Sequence, residues 1–124
     1  MSSKLYLLPP DDLPPNEVTK EDGMLQMELE QSTGRCFFLA CDRITRVLLS
    51  NCQWYITTNA SILTLIVDCP DLVSYWHIVS NIAQLGNRLE RFASNGKIRV
   101  YPPFGKGMPF EISVNEISAY RDWL

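Results

Sequence analysis

The fold is decided by residues 61–101, which read SILTLIVDCPDLVSYWHIVSNIAQLGNRLERFASNGKIRVY. They begin with a short apolar run, 62–67, whose β-branched residues predict a buried strand. Pro70 and Asp71 end this strand. Both suit the first turn of a helix, where proline needs no N–H and a carboxylate meets the positive end of the helix dipole. Apolar residues then recur at helical spacing, so we predict one long helix over residues 71–93.

The apolar side of this helix is wider than a surface helix needs. Two neighbouring rows of apolar residues run along it, the first being Tyr75, Ile78, Ile82, Leu85, Leu89 and Phe92 and the second Leu72, Trp76, Val79, Ala83 and Gly86. At about 100° per residue the rows span about 200°, roughly twice the arc that packing on one sheet face requires. Either the terminal helix and the segment after Asp42 cover the remaining flank, or another chain does, as a homodimer or as a partner protein.

The N-terminal part of the chain predicts a hairpin. Leu25, Met27 and Leu29 alternate with polar residues, which is typical of a half-exposed strand over residues 24–30. The apolar run 36–41 predicts a strand covered on both faces. Small polar residues and glycine between the two runs indicate the turn.

A second hairpin is predicted further along the chain. Its strands would be residues 54–58 and 61–67, joined by a turn at 59–60. Residues 42–51 lie before it and fit two interpretations, a helix with Asp42 as its N-cap or another strand. Both interpretations stay open.

The C-terminal part predicts a strand, a loop and a helix. Residues 97–101 alternate as a strand does, and the proline- and glycine-rich stretch 101–110 indicates a loop. Ser113 and Glu116 have the spacing of a capping box, in which each side chain binds the other residue's free N–H. A helix over residues 114–124 is therefore expected.

Together these elements predict an α+β domain. We expect a single mixed or antiparallel β-sheet of about five strands, packed against the long helix 71–93 and the C-terminal helix 114–124. The long helix allows either a crossover between parallel strands or an antiparallel return. Residues 1–23, rich in proline and acidic residues, are expected to form an N-terminal arm, and 24–124 the single domain.

Composition restricts the class of protein. The chain has 124 residues and a net charge of −3, which argues against general nucleic-acid binding because that needs a basic surface. No apolar run approaches the ~18 residues of a membrane span, so we expect no membrane span and a cytoplasmic location. The cysteines show no C-x-x-C spacing and there is only one histidine, which predicts free thiols and no metal site; the four are Cys36, Cys41, Cys52 and Cys69.

The residues that carry chemistry are few. His77 lies on the polar side of the predicted helix with no carboxylate spaced to orient it, and it lies about two helical turns, ~12 Å, from Cys69. We therefore expect no catalytic residues and no cofactor. The alternative is a small-molecule-binding or enzymatic domain whose site lies at the strand ends near Asp42 and Asp68.

The leading hypothesis is a non-enzymatic protein that binds another protein, as an adaptor, regulatory subunit or assembly chaperone. Prolines and aromatic residues in one loop form a stiff apolar segment that suits docking, and nearby arginines suit a partner with an acidic segment. The predicted partner-binding residues are Tyr101, Pro102, Pro103, Phe104, Pro109 and Phe110, with Arg88 and Arg91.

Overall fold

A four-stranded mixed sheet forms the centre of the fold. The structure, a computed structural model, describes residues 15–117, with the backbone alone for 15–21. In chain order the elements are α1 (Pro15–Ala40), α2 (Arg43–Ser50), β1 (Gln53–Asn59), β2 (Ile62–Asp68), α3 (Leu72–Ser80), α4 (Ile82–Leu89), β3 (Lys97–Tyr101) and β4 (Phe110–Ser113). A C-terminal helix, α5, follows and is described over residues 114–117. The α+β class is therefore confirmed, with four strands described.

The sheet has the order β1-β2-β3-β4. The predicted second hairpin is confirmed, since β1 and β2 pair antiparallel around Ala60 and Ser61, which both have positive φ. Strands β2 and β3 are parallel, so α3 and α4 form the crossover between them. Strand β4 pairs antiparallel with β3 at the far edge and was not predicted.

The helices cover one face of the sheet. Alternate strand residues point into this core and are fully or almost fully buried, among them Ile56, Leu65, Val67, Ile98 and Val100. The opposite face carries the row Tyr55, Ile66, Arg99 and Glu111, which lie side by side across the four strands and are partly exposed. The sheet therefore has one packed face and one accessible face.

The predicted first hairpin is wrong, because residues 24–30 and 36–41 belong to helix α1 almost throughout. The residues that pack are spaced as on a helix: Glu30 is half-buried, and Gly34, Phe37 and Cys41 are buried. This period of three to four residues fits one helical face and not a strand. The alternation of residues 24–30 does not mark a sheet face.

The predicted long helix 71–93 is divided at Asn81 into α3 and α4. The Asn81 side chain donates a hydrogen bond to the Thr45 hydroxyl at 3.0 Å, which ties the break to helix α2. Helix α3 begins after Asp71, whose carboxylate accepts from the Ser74 amide at 2.7 Å. The longest described helix is instead α1, with 26 residues.

The wide apolar arc is covered in part by the chain itself. Gly86 on α4 is buried against Ile117 of α5, and α2 packs beside α3. Leu72, Val73 and Trp76 of α3 remain exposed. The C-terminal helix α5 and helix α2 therefore both cover part of the apolar arc, although they do not cover the first turns of α3.

Of the two caps that the sequence suggested, the capping box at Ser113 is confirmed, and the N-cap at Asp42 decides between the two open interpretations of residues 42–51. The Asp42 carboxylate accepts from the Thr45 amide at 2.9 Å, so residues 42–51 follow the helical interpretation. The capping box forms as well: the Ser113 amide donates to Glu116 at 2.9 Å, and the Glu116 amide donates to the Ser113 hydroxyl at 3.2 Å. Residues 1–14 of the expected arm and 118–124 of the expected helix lie outside the described residues, and the domain division stays a prediction.

Candidate partner-binding surface

Helix α1 reaches beyond the part of it that packs on the sheet. Its 26 residues correspond to about 39 Å of helix. Packing against the core is confined to its C-terminal half, from Glu30 onwards. In the preceding turns the large apolar side chains are each more than half exposed, and these are Met24, Leu25, Met27 and Leu29. No described element covers them.

A groove runs between the C-terminal half of α1 and strand β1. It is open to solvent and has a volume of about 910 Å³. Most of its lining is apolar or aromatic, contributed by Met27, Phe38, Leu39, Trp54, Tyr55 and Ile56. Glu30, Gln31, Arg35 and Ser50 add polar groups. An apolar surface with a few polar groups is typical of a binding site.

Aromatic packing holds the groove wall in place. The Trp54 ring stacks on Phe38 with centroids 5.7 Å apart, and meets the edge of the buried Phe37 ring at 6.0 Å. The Trp54 ring also lies beside Gly34, 3.7 Å from the position that a Cβ would occupy there, which is an ordinary van der Waals distance. The indole is thus fixed from two sides, which gives a stiff apolar surface.

The open edge of the sheet lies along this groove. Strand β1 is an edge strand, and α1 binds one residue of its outer edge. The Thr58 amide donates to the Glu30 carboxylate at 2.7 Å, and the Thr58 carbonyl accepts from Gln26 at 2.9 Å. Peptide groups alternate in direction along an antiparallel strand, so those of Trp54 and Ile56 also point away from β2. Ile56 is almost fully buried and Trp54 is half-buried, so the peptide group of Ile56 is covered and that of Trp54 is the candidate donor and acceptor beside the apolar wall.

The residues of the predicted docking loop differ widely in exposure. Phe104 is fully exposed and Pro109 is exposed, whereas Phe110 begins β4 and packs against the core. Pro102 is buried and Pro103 is half-buried. The remaining predicted loop residue, Tyr101, is the half-buried end of β3. Of the predicted loop residues only Phe104 and Pro109 are therefore exposed, and the role of the loop in binding stays a prediction.

The predicted basic residues occupy separate places. Arg88 is half-buried on α4, and its charge contributes to a lowered pKa of Asp42, after the hydrogen bonds from Thr45. Arg91 is exposed just beyond α4. On the open sheet face, Glu111 accepts from Arg99 at 2.7 Å and lies 3.8 Å from the Lys97 ammonium; both basic residues are paired within the molecule.

The alternative site at the strand ends does not gather both carboxylates. Asp42 is engaged as the N-cap of α2. Asp68 ends β2 and lines a shallow depression with Cys52, Cys69 and Pro70, and Asp42 is not among the lining residues of that depression. Within residues 22–117 no cluster of three or more His, Cys, Asp or Glu side chains could hold a metal ion.

The described helices include none that is long and apolar enough to cross a membrane. Comparison with protein-family models, with curated proteins and with solved structures gave no match. Function is therefore inferred from the residues and their geometry alone.

The groove was missed because one of its two walls is helix α1, whose sequence was interpreted as two strands. A signal was present in the sequence: Glu30, Gly34, Phe37 and Cys41 follow one another at helical spacing. Comparing periods of 2 and 3.6 residues over the whole range 24–41 would have favoured the helix. The contact between α1 and Trp54 has no local signal.

Proposed function

We propose that this is a non-enzymatic cytoplasmic protein that binds another protein, as an adaptor, regulatory subunit or assembly chaperone. The observation that supports the proposal is the set of exposed apolar side chains on α1, of which Met27 also lines the groove beside β1. Exposed apolar side chains beside an apolar groove are typical of a protein-interaction site. Four free cysteines suit a reducing compartment.

The proposed occupant of the groove is an extended apolar segment of the partner. Its main chain would pair with the outward peptide group of Trp54, in the manner of strand addition to a sheet edge. Its apolar side chains would lie against Phe38, Leu39 and Met27. A segment of this kind satisfies both the backbone groups and the apolar wall, which a small polar ligand would not.

The groove predicts which substitutions abolish binding. Leu39 and Met27 line it and are exposed, so Leu39→Glu and Met27→Glu place a charge in the interface without disturbing the core. Val73→Glu is the matched control, since Val73 is equally exposed but lies on α3. The wild type and the three variants are each used to isolate partners from the native cell, followed by mass spectrometry.

We expect a specific partner to be retained by the wild type and by Val73→Glu and lost from both groove variants. Addition of that partner should then slow amide exchange at Trp54. If the groove variants keep the partner and Phe104→Ser loses it, binding takes place at the loop. If sedimentation shows a dimer that Leu39→Glu converts to a monomer, the groove serves self-association.

A further inference from the structure

Two cysteines face each other where the β1–β2 hairpin ends. The Sγ atoms of Cys52 and Cys69 are 3.8 Å apart, and both thiols are free. Cys52 immediately precedes β1 and Cys69 immediately follows β2. Because Gln53 is paired with Asp68, the register places the two cysteines directly opposite each other.

The backbone at this position suits a disulfide. The Cys69 amide donates to Tyr101 and the Cys52 amide to Leu49, so the two cysteines exchange no backbone hydrogen bond. Residues at such a non-hydrogen-bonded position of an antiparallel pair have Cα atoms about 4.5 Å apart. That value lies within the range of about 4.4–6.8 Å found across disulfides. Rotation of the two side chains has to close the distance between the sulfur atoms from 3.8 Å to the ~2.0 Å of a disulfide bond.

We propose that Cys52 and Cys69 are a site of reversible oxidation, at which small-molecule disulfides such as oxidised glutathione convert the two thiols to an intramolecular disulfide. The Cys52 thiolate attacks one sulfur of the oxidant and releases one molecule of reduced thiol. The Cys69 thiolate then attacks the Cys52 sulfur of the mixed disulfide and releases the second. The protein loses two hydrogens, and the oxidant is reduced to two thiols.

Accessibility sets the order of the two steps. Cys52 is half-exposed and lines the shallow depression beside Asp68, whereas Cys69 is almost fully buried. The oxidant therefore meets Cys52 first, and Cys69 acts as the resolving thiol. Cys36 is also exposed, but it has no opposing thiol, so its reaction with the same oxidant stops at the mixed disulfide.

Burial also slows the reaction near neutral pH. Desolvation raises the pKa of Cys52, and it raises the pKa of Cys69 to about 12. The neighbouring thiol and the carboxylates of Asp68 and Asp71 act on Cys69 in the same direction. Since the thiolate is the attacking species, oxidation should accelerate about tenfold per pH unit below the pKa of the attacking thiol.

The positions of lysine and arginine allow the Cys52–Cys69 disulfide to be detected by tryptic digestion and mass spectrometry. No lysine or arginine lies between Arg46 and Arg88, so trypsin releases Cys52 and Cys69 in one peptide, 47–88. Cys36 and Cys41 are released together in another, 36–43. The folded full-length protein is incubated with oxidised glutathione at pH 8.5, alkylated, digested and analysed by mass spectrometry. Circular dichroism confirms that it remains folded.

We expect peptide 47–88 to carry no alkyl label and to be two hydrogens lighter than the same peptide with two free thiols. Cys36 should carry glutathione. Reduction should restore both labels. In Cys69→Ser, and equally in Cys69→Ala should the serine variant fail to fold, the glutathione adduct should persist on Cys52. The proposal is overturned if peptide 47–88 keeps both labels while Cys36 reacts. It is also overturned if wild-type Cys52 retains glutathione, or if the disulfide forms only in denaturant.

Discussion

Replacing Gly86 by alanine tests whether the chain covers its own wide helix. Gly86 is buried in α4, and a Cβ built there would lie 2.6 Å from Cδ1 and 3.2 Å from Cγ2 of Ile117. Neither distance is an ordinary van der Waals contact, so Ile117 or the helix that carries it has to move. The test therefore reports on the packing of α5 against α4.

Two opposing effects determine how much Gly86→Ala changes the free energy of unfolding. Alanine stabilises a helix interior by about 1 kcal/mol relative to glycine. Overfilling a packed core costs about 1–3 kcal/mol. We therefore expect Gly86→Ala to lower the free energy of unfolding by up to about 2 kcal/mol. Gly23 on α1 is the matched control: nothing lies within 4 Å of its built Cβ, so Gly23→Ala should show the stabilisation alone.

Urea denaturation at neutral pH measures both variants against the wild type. The double variant of Gly86→Ala with Ile117→Val removes the Cδ1 atom that meets the new methyl group. Ile117→Val alone should cost about 0.5–1.5 kcal/mol. Combined with Gly86→Ala it should cost less than the sum of the single effects, because the two side chains occupy the same space.

The opposite result would be informative. If Gly86→Ala stabilised the protein as much as Gly23→Ala and showed no coupling to Ile117→Val, the C-terminal helix would not cover this flank. The flank of α4 would then be open to another chain, as the wide apolar arc of the sequence allows.

Three further predictions follow from single contacts. Glu30→Ala removes the acceptor of the Thr58 amide and should lower the free energy of unfolding by about 1 kcal/mol; equal urea midpoints for Glu30→Ala and wild type would contradict the contact. Phe104→Ser should leave the melting temperature unchanged, since Phe104 is fully exposed, whereas Phe110→Ser should lower it because Phe110 packs on the core; equal shifts would be evidence against this placement. Hydrogen bonds from Ser74 lower the pKa of Asp71 in the folded state below its ordinary value of 3.8. The Asp71 carboxylate therefore stabilises the folded protein above about pH 4, and this stabilisation is lost as the pH falls further. Urea denaturation from pH 7 to pH 3 should show that the free energy of unfolding falls less for Asp71→Asn than for the wild type. The same pH profile for both proteins would refute the role of this cap.

Elements with strong local signals were predictable. The hairpin of β1 and β2 has two apolar strands joined by a short turn, and the caps at Asp42 and Ser113 depend on residues three positions apart. Such patterns act within a few residues of each other. Sequence alone therefore identified the hairpin and the cap at Ser113, and it left the cap at Asp42 as one of two interpretations.

Elements decided by distant contacts were not predictable. The break at Asn81 is tied to Thr45, which lies 36 positions earlier in the chain. Strand β4 has only four residues and depends on pairing with β3, including the bond between Arg99 and Glu111. In the candidate groove, Trp54 meets α1 only after the sheet and helices have assembled. A single sequence contains no local record of these contacts.

The mistaken strand over residues 24–30 bears directly on the proposed function. Leu25, Met27 and Leu29 are spaced two apart, so on a helix each is rotated by about 200° about the axis from the one before it and points to nearly the opposite side. No single neighbouring surface within the fold could bury all three, and all three are exposed in α1. Their apolar character contributes nothing to the described core, unlike that of Phe37. A partner that wraps around the projecting turns of α1, and continues into the groove, is the arrangement that would bury them.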